Sequence, residues 1–353
     1  MRVERARSLF AAWRRGHIFY QGKAIAFIVF LLMPIPAFVI SLLIGTYTFP
    51  AEDVIRVIAS HVFNLNADYP DVYDTIVFKI RLPRILLAMM VGMALSVSGA
   101  AFQGIFRNPL VSPFILGISS GAAFGAALVL GVFPQIPVQV GAFFFGLVAV
   151  GLACFMSRIK GKTPVVSLVL SGVIVSAIFG SLLAIIQFSV DAKSLQSIVY
   201  WNMGSLSTAC WSKFEHSFPL VAVGCLIILA LRWKLNVLAL GEEEARSVGM
   251  NSELYKSIFI IASTLAASAA VAVAGIIGLV GLIVPHMIRM VFGPDHRTLI
   301  PLSMTFGAAF LVFVDDFARA ALGFEVPVGV ITTLLGAPFF VYLLRATRGG
   351  GWE

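Results

Sequence analysis

Long apolar runs separated by short polar connections dominate the chain from residue 24 onward. A helix needs about 20 residues to cross the hydrocarbon core, whereas a barrel strand needs only about 10. Since lipid offers no partner for free backbone groups, these runs predict membrane-spanning α-helices. The ten predicted spans are 24–45, 82–104, 113–132, 138–157, 165–190, 217–235, 255–274, 277–293, 299–319 and 326–345. We therefore expect an all-α polytopic membrane protein whose single transmembrane domain covers 24–345.

The composition supports a lipid environment. The 353 residues are 59% hydrophobic and 12% charged, whereas a soluble domain carries about 25% charged residues. The formal net charge is +8, but the basic residues are scattered through short loops and form no stripe interleaved with aromatic residues. The chain is therefore not expected to bind nucleic acid.

Lysine and arginine near helix ends favour the cytoplasmic side of a membrane. With the N-terminus inside, 18 of the 25 Lys and Arg residues lie in predicted cytoplasmic segments. Both termini are therefore predicted to be cytoplasmic, with a basic arm at 1–23 and a tail at 346–353. The arm is expected to bind anionic membrane lipid. The longer polar stretches are two outer segments, 49–81 and 191–216, and one cytoplasmic segment, 236–252.

The cytoplasmic segment contains Gly241-Glu-Glu-Glu-Ala-Arg-Ser-Val-Gly249. Acidic residues favour the N-terminal end of a helix, where they meet the positive end of the dipole, and glycine commonly follows its last turn. The pattern predicts a short amphipathic helix over 242–249 that is presented to the cytosol.

The predicted spans contain almost no ionisable residues in their central parts. An ion-coupled carrier usually keeps such residues near the middle of the bilayer, and a membrane-embedded enzyme would need His, Asp or Glu clusters there. Asp315 and Arg319 lie near the outer end of one span, one helical turn apart, where they can pair. A transporter built this way is expected to receive its energy as a mechanical push on a cytosolic segment, here the 242–249 helix. An ion-coupled secondary transporter and an embedded enzyme remain the alternatives.

No catalytic motif accompanies these spans, and we expect no catalytic residue, metal site or cofactor. Gly161-Lys162-Thr163 resembles the end of a phosphate-binding loop, but Met156 stands where that loop needs a glycine. This chain is therefore not expected to bind ATP. The cysteines occur singly, without the spacing of a disulfide or zinc site, and are expected to be packing residues; they are Cys154, Cys210 and Cys225.

Two further patterns each leave alternatives open. Small residues at four-residue spacing, as in Gly117, Gly121 and Gly125, let helices approach closely; ordinary packing in one bundle is favoured over a subunit interface. Arg81-Leu-Pro-Arg84 places two cations at the start of a predicted helix. They are either snorkelling side chains or a docking site for a partner.

Several blocks of this sequence occur together in one known family. The first half contains Arg81-Leu-Pro-Arg84, Gly92 to Pro113 with its Gln-Gly-Ile-Phe-Arg-Asn-Pro-Leu-Val-Ser-Pro ending, and Leu116-Gly-Ile-Ser-Ser-Gly-Ala122. The second half contains Tyr200 to Leu206, Leu240 to Gly249, Gly278 to Arg289, Asp315 to Arg319 and Glu325 to Phe340. In this content and order the chain resembles the iron-chelate, haem and vitamin B12 uptake permeases, the type II ABC importers.

The resemblance implies a fold and a set of partners. It implies ten spans in the inner (plasma) membrane, and pairing with a second permease subunit as a homodimer or a paralogous heterodimer. It also implies two ATP-binding cassette ATPase subunits and a periplasmic or lipid-anchored substrate-binding protein. The cargo would be an iron chelate (siderophore or haem) or a corrinoid; the sequence leaves the choice open, and oxyanion importers share the same blocks.

The resemblance also assigns expected roles to residues. Binding-protein docking falls to Arg81, Arg84 and Arg319. ATPase coupling falls to Glu242, Glu243, Ala245, Arg246, Val248 and Gly249. The cytoplasmic gate is expected at Asn108, Pro109 and Leu110, and at Thr163 and Val165, where this chain is more apolar than some relatives. The pathway is expected along the fifth span, lined by Ser171, Ser176, Ser181 and Gln187.

Overall fold

The computed structural model describes residues 23–45, 47, 50–63, 69–320 and 325–346. The predicted basic arm and tail therefore lie outside the described residues, apart from Lys23 and Ala346. Within those ranges the chain is helical, and the only β-type pairing is an isolated bridge between Ile159 and Lys162. The all-α prediction is thus confirmed for the described part of the chain.

The helices follow one another closely, with short connections. They are α1 (Lys23–Leu32), α2 (Pro34–Leu43), α3 (Ala51–Phe63), α4 (Asp71–Asp74), a π-helical turn (Thr75–Arg81), α5 (Leu82–Phe106), α6 (Ile118–Gly131), α7 (Val138–Ser157), α8 (Val165–Ser189), α9 (Ala192–Asn202), α10 (Trp211–Leu240), α11 (Glu242–Ser247), α12 (Ser252–Ala274), α13 (Val280–Phe292), α14 (His296–Ala320) and α15 (Val328–Ala346).

Six described helices are long and apolar enough to cross a membrane, and α1 with α2, bent by 43°, gives a seventh candidate. The bend precedes Pro34, whose ring removes a backbone donor. Three shorter apolar helices, α6, α13 and the 328–341 part of α15, occupy the other predicted spans. Every predicted span thus contains a helix, while a count of ten crossings stays a prediction.

The polar segment before α5 differs from expectation. We expected the second span to begin at residue 82, but the helix runs without a break from Asp71 to Phe106. The π-helical turn carries the chain into α5, whose second residue is Pro83, which cannot donate a backbone hydrogen bond. Hydropathy alone misses this extension because residues 71–81 are mixed in polarity.

Helix α5 forms the centre of the bundle. In the most apolar 18-residue stretch of the helix that contains it, 83% is buried; the corresponding share is 78% for α12 and 67% for α14. Close packing depends on glycine: a Cβ on Gly99 would lie 1.9 Å from the Gly281 carbonyl oxygen of α13. Likewise, a Cβ on Gly125 would lie 2.1 Å from the Gly141 carbonyl oxygen, so α6 and α7 touch along the predicted glycine pattern. Packing within one bundle therefore accounts for these glycines.

Three long helices lie at the periphery. In the most apolar 18-residue stretch of each, only 22% is buried for α8, 28% for α10 and 39% for α7. Since these helices are strongly apolar, their uncovered faces must meet lipid or another subunit.

Candidate functional site

At one end of the bundle, Arg84 of α5 joins two acidic residues from the far end of the sequence. Its Nε and Nη2 donate to the two carboxylate oxygens of Asp315, at 2.9 and 2.8 Å. Its Nη1 also donates to Glu325 Oε1. This bidentate pairing fixes the guanidinium against α14.

A second arginine extends the same network. Arg319 lies 3.3 Å from Asp315 Oδ2, one turn away as predicted, and also pairs with Asp316. Ser41 of α2 donates to Asp316 at 2.6 Å and accepts from Arg319 at 3.0 Å. The network therefore joins α2, α5 and α14.

The third arginine holds a chain segment. Arg81 donates to the carbonyl oxygens of Leu42, in the last turn of α2, and of Tyr47, which follows that helix. The three arginines are only 3%, 8% and 7% exposed, for Arg81, Arg84 and Arg319 respectively. They point into the protein, so snorkelling does not describe them. Docking through these residues stays a prediction, and it would require their internal partners to be exchanged.

At the opposite end of the helices lies α11, close to the predicted 242–249 range. Three glutamates fill its first turn, Arg246 stands in its last, and Gly249 follows with φ of +75°. Ala245 is fully buried against the bundle, while Val248 is 68% exposed. Of the predicted coupling residues, Ala245 therefore anchors the helix, and Val248 offers an apolar side chain to the exterior.

Lys256 of α12 connects α11 to the loop before α8. Its Nζ donates to Glu242 Oε1 at 2.8 Å and to the Thr163 carbonyl oxygen at 2.9 Å. It also lies 2.6 Å from Glu253 Oε1, and Glu253 Oε2 accepts from the Thr163 backbone N–H at 3.0 Å. A predicted coupling residue and a predicted gate residue are thus held by the same ammonium group.

The environment of Glu242 favours its charged form. Burial acts to raise its pKa, but the hydrogen bond and charge of Lys256, with the charges of Arg246 and Arg107, lower the pKa overall. The carboxylate is therefore ionised at neutral pH and pairs with Lys256 and, at 3.8 Å, with Arg246.

Lys256 and Glu253 were not among the predicted site residues. The sequence contains one usable indication, a Glu–Lys pair three residues apart at the start of α12, which neighbours on one helix face form readily. Its connection to Glu242 and Thr163 depends on tertiary packing, which no local pattern reveals.

The other predicted gate residues lie in the turn after α5. Arg107 ends α5 in the left-handed conformation, with φ of +52°, and Asn108 Oδ1 accepts from the Leu110 backbone N–H at 2.9 Å. Asn108 is exposed, Pro109 half-buried, and Leu110 47% exposed. Val165 is the first residue of α8, directly after the Thr163 loop.

The four predicted pathway residues do not share one face of α8. Their spacings of five, five and six residues distribute them around a helix with 3.6 residues per turn. Ser171 is buried, Ser176 and Gln187 are half-buried, and Ser181 is exposed. Ser171 packs inward beside Leu168 and Val175, whereas the exposed Ser181 Oγ donates to the Ala177 carbonyl of its own helix at 3.0 Å.

The cysteines agree only in part with their predicted role. Cys225 is buried and Cys154 is half-buried. Cys210 is exposed, just before α10, so the packing prediction is wrong for this residue.

Comparison with known proteins agrees with the resemblance carried by the sequence blocks. The model of the FecCD transport family matches residues 30–346. A cobalamin import system permease protein of Halobacterium salinarum is 42% identical over 278 residues, covering 78% of this chain and 75% of that protein. A molybdate import system permease protein of Haemophilus influenzae is 37% identical over 323 residues, covering 91% of this chain and 95% of that protein.

A solved structure shows the same architecture. It is described as an inward-facing conformation of an ABC transporter of metal-chelate type, and it superposes with a TM-score of 0.81 at 34% identity. The superposition covers 92% of this chain and 99% of the other. The resemblance inferred from the sequence blocks is thereby confirmed.

Proposed function

This chain belongs to the FecCD transport family, and we propose from that premise that it is the ten-span permease subunit of an ATP-binding-cassette importer in the inner (plasma) membrane. It binds no ATP itself. Two ATPase subunits supply the energy from the cytosol, where both termini lie, and a substrate-binding protein delivers the cargo on the other side.

One observation carries this proposal: Lys256 bonds to both Glu242 of α11 and Thr163 of the loop before α8. The ATPase grips α11 through Val248, which is 68% exposed, and through the exposed glutamates beside it. When the ATPase subunits close, α11 moves, and Lys256 transmits the displacement to the start of α8. The gate then shifts between inward and outward access.

The distribution of charge favours this mechanism over ion coupling. Helices α7 and α8 carry no charged residue, and α14 carries Asp315, Asp316 and Arg319 only in its last six residues. A carrier driven by protons or sodium would need titratable or ion-binding groups nearer the middle of the membrane. A membrane-embedded enzyme would need catalytic clusters there.

The pathway runs between two permease subunits, identical or paralogous. The apolar window of α8 is 22% buried, which leaves most of that helix for a partner surface. Its half-buried polar residues Ser176 and Gln187 are eleven residues apart, close to three full turns, and so share one helix face; they give a polar lining that contacts the cargo without binding it strongly. Such a lining lets the importer release what it admits.

The cargo is a bulky metal chelate, a ferric siderophore, haem or corrinoid. Support comes from the neighbours: one relative is named for cobalamin import and the solved structure is of metal-chelate type. The relative named for molybdate import keeps an oxyanion as the second candidate. Docking of the delivering protein uses the Arg81, Arg84 and Arg319 region, whose internal carboxylates yield to those of the binding protein.

Uptake by cells lacking the native permease, complemented with this chain, tests the assignment. Labelled ferric siderophore, haem, cobalamin and molybdate are supplied separately, with the partner ATPase present or deleted. We expect uptake of one metal chelate that disappears with the ATPase. Accumulation that persists without the ATPase would support a secondary transporter, and preferred uptake of molybdate would replace the chelate as cargo.

A further inference from the structure

Two cavities meet at the end of the bundle opposite α11. One, of about 420 Å³, lies among the end of α9, the start of α10 and the end of α12. The other, of about 490 Å³, continues between α7, α10 and α12. They share Gln139, Lys213, Ala272 and Val273 in their walls, so they form one continuous groove.

The first cavity has the more polar lining of the two. Ser205 Oγ donates to Ser207 Oγ at 2.9 Å, and the Tyr200 hydroxyl lies 3.3 Å from Ser207 Oγ. Lys213 Nζ donates to Thr208 Oγ1, and both residues line this cavity. These hydroxyls and the ammonium group form a set of donors suited to an anionic oxygen ligand.

Lys213 also has no acidic partner in its surroundings. Among the described residues it forms no salt bridge, and all the ion pairs found there involve other cations. Glu215, two residues later, points to the other side of α10, because two residues turn a helix by about 200°. The positive charge at the groove is therefore left for a ligand.

The second cavity is apolar. Ala269 and Ala272 of α12 line it with small side chains. Val140 and Phe143 of α7 form one wall, and Leu220 of α10 forms the other. The groove follows three helices long and apolar enough to cross a membrane. The apolar part of the groove thus faces the acyl chains of the membrane, and its polar end lies near the membrane–water boundary.

Aromatic residues mark the same depth. Tyr200 and Trp201 line the polar cavity, and Trp211 begins α10, with its Nε1 donating to the Phe78 carbonyl oxygen at 2.7 Å. Tyrosine and tryptophan collect where the headgroups of a bilayer meet its acyl chains. The polar cavity therefore sits at headgroup level and the apolar one at acyl-chain level.

We propose that this groove binds one anionic phospholipid, with its phosphate and headgroup at Lys213, Thr208 and the serine hydroxyls and one acyl chain between α7 and α10. In the orientation proposed above, the lipid belongs to the outer leaflet. Bound there, it bridges the start of α10 to α7 and fills the gap above the α12 alanines.

Native mass spectrometry of the full chain in detergent tests the proposal, with phosphatidylglycerol and phosphatidylcholine of identical acyl chains as probes. A lysine near an anionic lipid surface contributes about 1 kcal/mol, so we expect about a five-fold preference for phosphatidylglycerol that Lys213→Gln removes and Lys213→Arg retains. The matched control is Lys193→Gln, which removes an exposed lysine of α9 outside both cavities and should leave the preference intact.

A second variant tests the acyl-chain groove. Val140 is 56% exposed, so Val140→Trp adds bulk at the wall without entering the core. We expect it to weaken binding of both lipids at an unchanged melting temperature. The proposal is overturned if Lys193→Gln acts as strongly as Lys213→Gln, if both lipids bind equally to the unaltered chain, or if Val140→Trp leaves lipid binding unchanged. Loss of a self-associated form in Val140→Trp, without lipid loss, would assign the groove to a second copy instead.

Discussion

The Nζ atom of Lys256 in α12 donates a 2.8 Å hydrogen bond to Glu242 Oε1 in the short helix α11. This bond joins the two helices. The side chain of Lys256 is only 4% exposed, whereas that of Glu242 is 33% exposed. The lysine is therefore held inside the bundle, and the glutamate is the more accessible member of the pair. Lys256 also holds the Thr163 carbonyl oxygen, so one ammonium group joins α11 to the loop before α8.

Replacement of Lys256 should separate ATP hydrolysis from transport. Lys256→Gln leaves Glu242 and Glu253 without their shared cation, and each hydrogen bond to a charged group contributes about 1.5–3 kcal/mol. We expect transport per ATP hydrolysed to fall at least about ten-fold, the factor that about 1.4 kcal/mol represents, while hydrolysis continues. Uptake and phosphate release in the reconstituted complex measure the two rates.

Lys162→Gln is the matched control for that variant. It removes an exposed lysine one residue before Thr163 and leaves the Lys256 bonds in place. Normal coupling in Lys162→Gln is expected. Equal losses in both variants would mean that general loop charge, and not the Lys256 connection, supports coupling.

The lowered pKa of Glu242 gives a defined pH dependence. A carboxyl group whose pKa is lower in the folded state stabilises the protein above its unfolded pKa of about 4.3, and this contribution is lost as the pH falls through the folded value. The unaltered chain should therefore melt at a higher temperature than Glu242→Gln at pH 7, and the difference should shrink below about pH 4.3. A difference that stays constant down to pH 3 would contradict the ion pair.

The arginine network at the other end should contribute strongly to stability. Asp315→Asn removes the charge that holds Arg84 and Arg319, and breaking a buried ion pair costs about 3–5 kcal/mol. We expect a loss of about 3 kcal/mol in denaturant-induced unfolding in detergent micelles. Asp53→Asn provides the comparison, since its 3.4 Å pair with Arg56 is exposed and should contribute less than about 1 kcal/mol. Similar losses in both variants would show that the buried ion pairs of Asp315 contribute no more to the free energy of unfolding than an exposed pair does.

The glycine contact between α5 and α13 predicts a steric effect. In Gly99→Ala the new Cβ would meet the Gly281 carbonyl oxygen at 1.9 Å, so the two helices must separate. Overpacking of this kind destabilises by about 1–3 kcal/mol. Gly151→Ala on α7 has nothing within 4 Å and should be neutral. Thermal unfolding of the two variants is the measurement. A loss in Gly99→Ala alone supports the close helix contact, whereas equal losses would mean that any glycine replacement destabilises the chain.

The apolar runs were sufficient to predict a helix in each expected span, because lipid imposes one solution on every backbone group. They did not reveal the helices of the polar segments, such as α3 and α9. The short helix at α11 was predictable for a different reason, since its acids and its glycine stop follow local rules of capping and dipole. Both kinds of information lie within a few residues of the chain.

The side-chain partners were not predictable in the same way. Arg84 finds Asp315 at a separation of 231 residues, and Lys256 finds Thr163 at 93. Hydropathy placed the three arginines at helix ends, where arginine side chains are commonly exposed. Tertiary packing instead buries the side chains of Arg81, Arg84 and Arg319. The polar residues of α8 do not share one helix face, because their spacing does not match the helical repeat; their role along the pathway stays a prediction.

The central claim is that the energy for transport enters through α11 from a separate ATPase. Sealed vesicles reconstituted with this chain, alone or with its ATPase and loaded binding protein, test it most directly by accumulation of the cargo. We predict accumulation only in complete vesicles supplied with ATP, and its loss in Glu242→Gln. Accumulation by the chain alone, driven by an imposed proton or sodium gradient, would contradict the account.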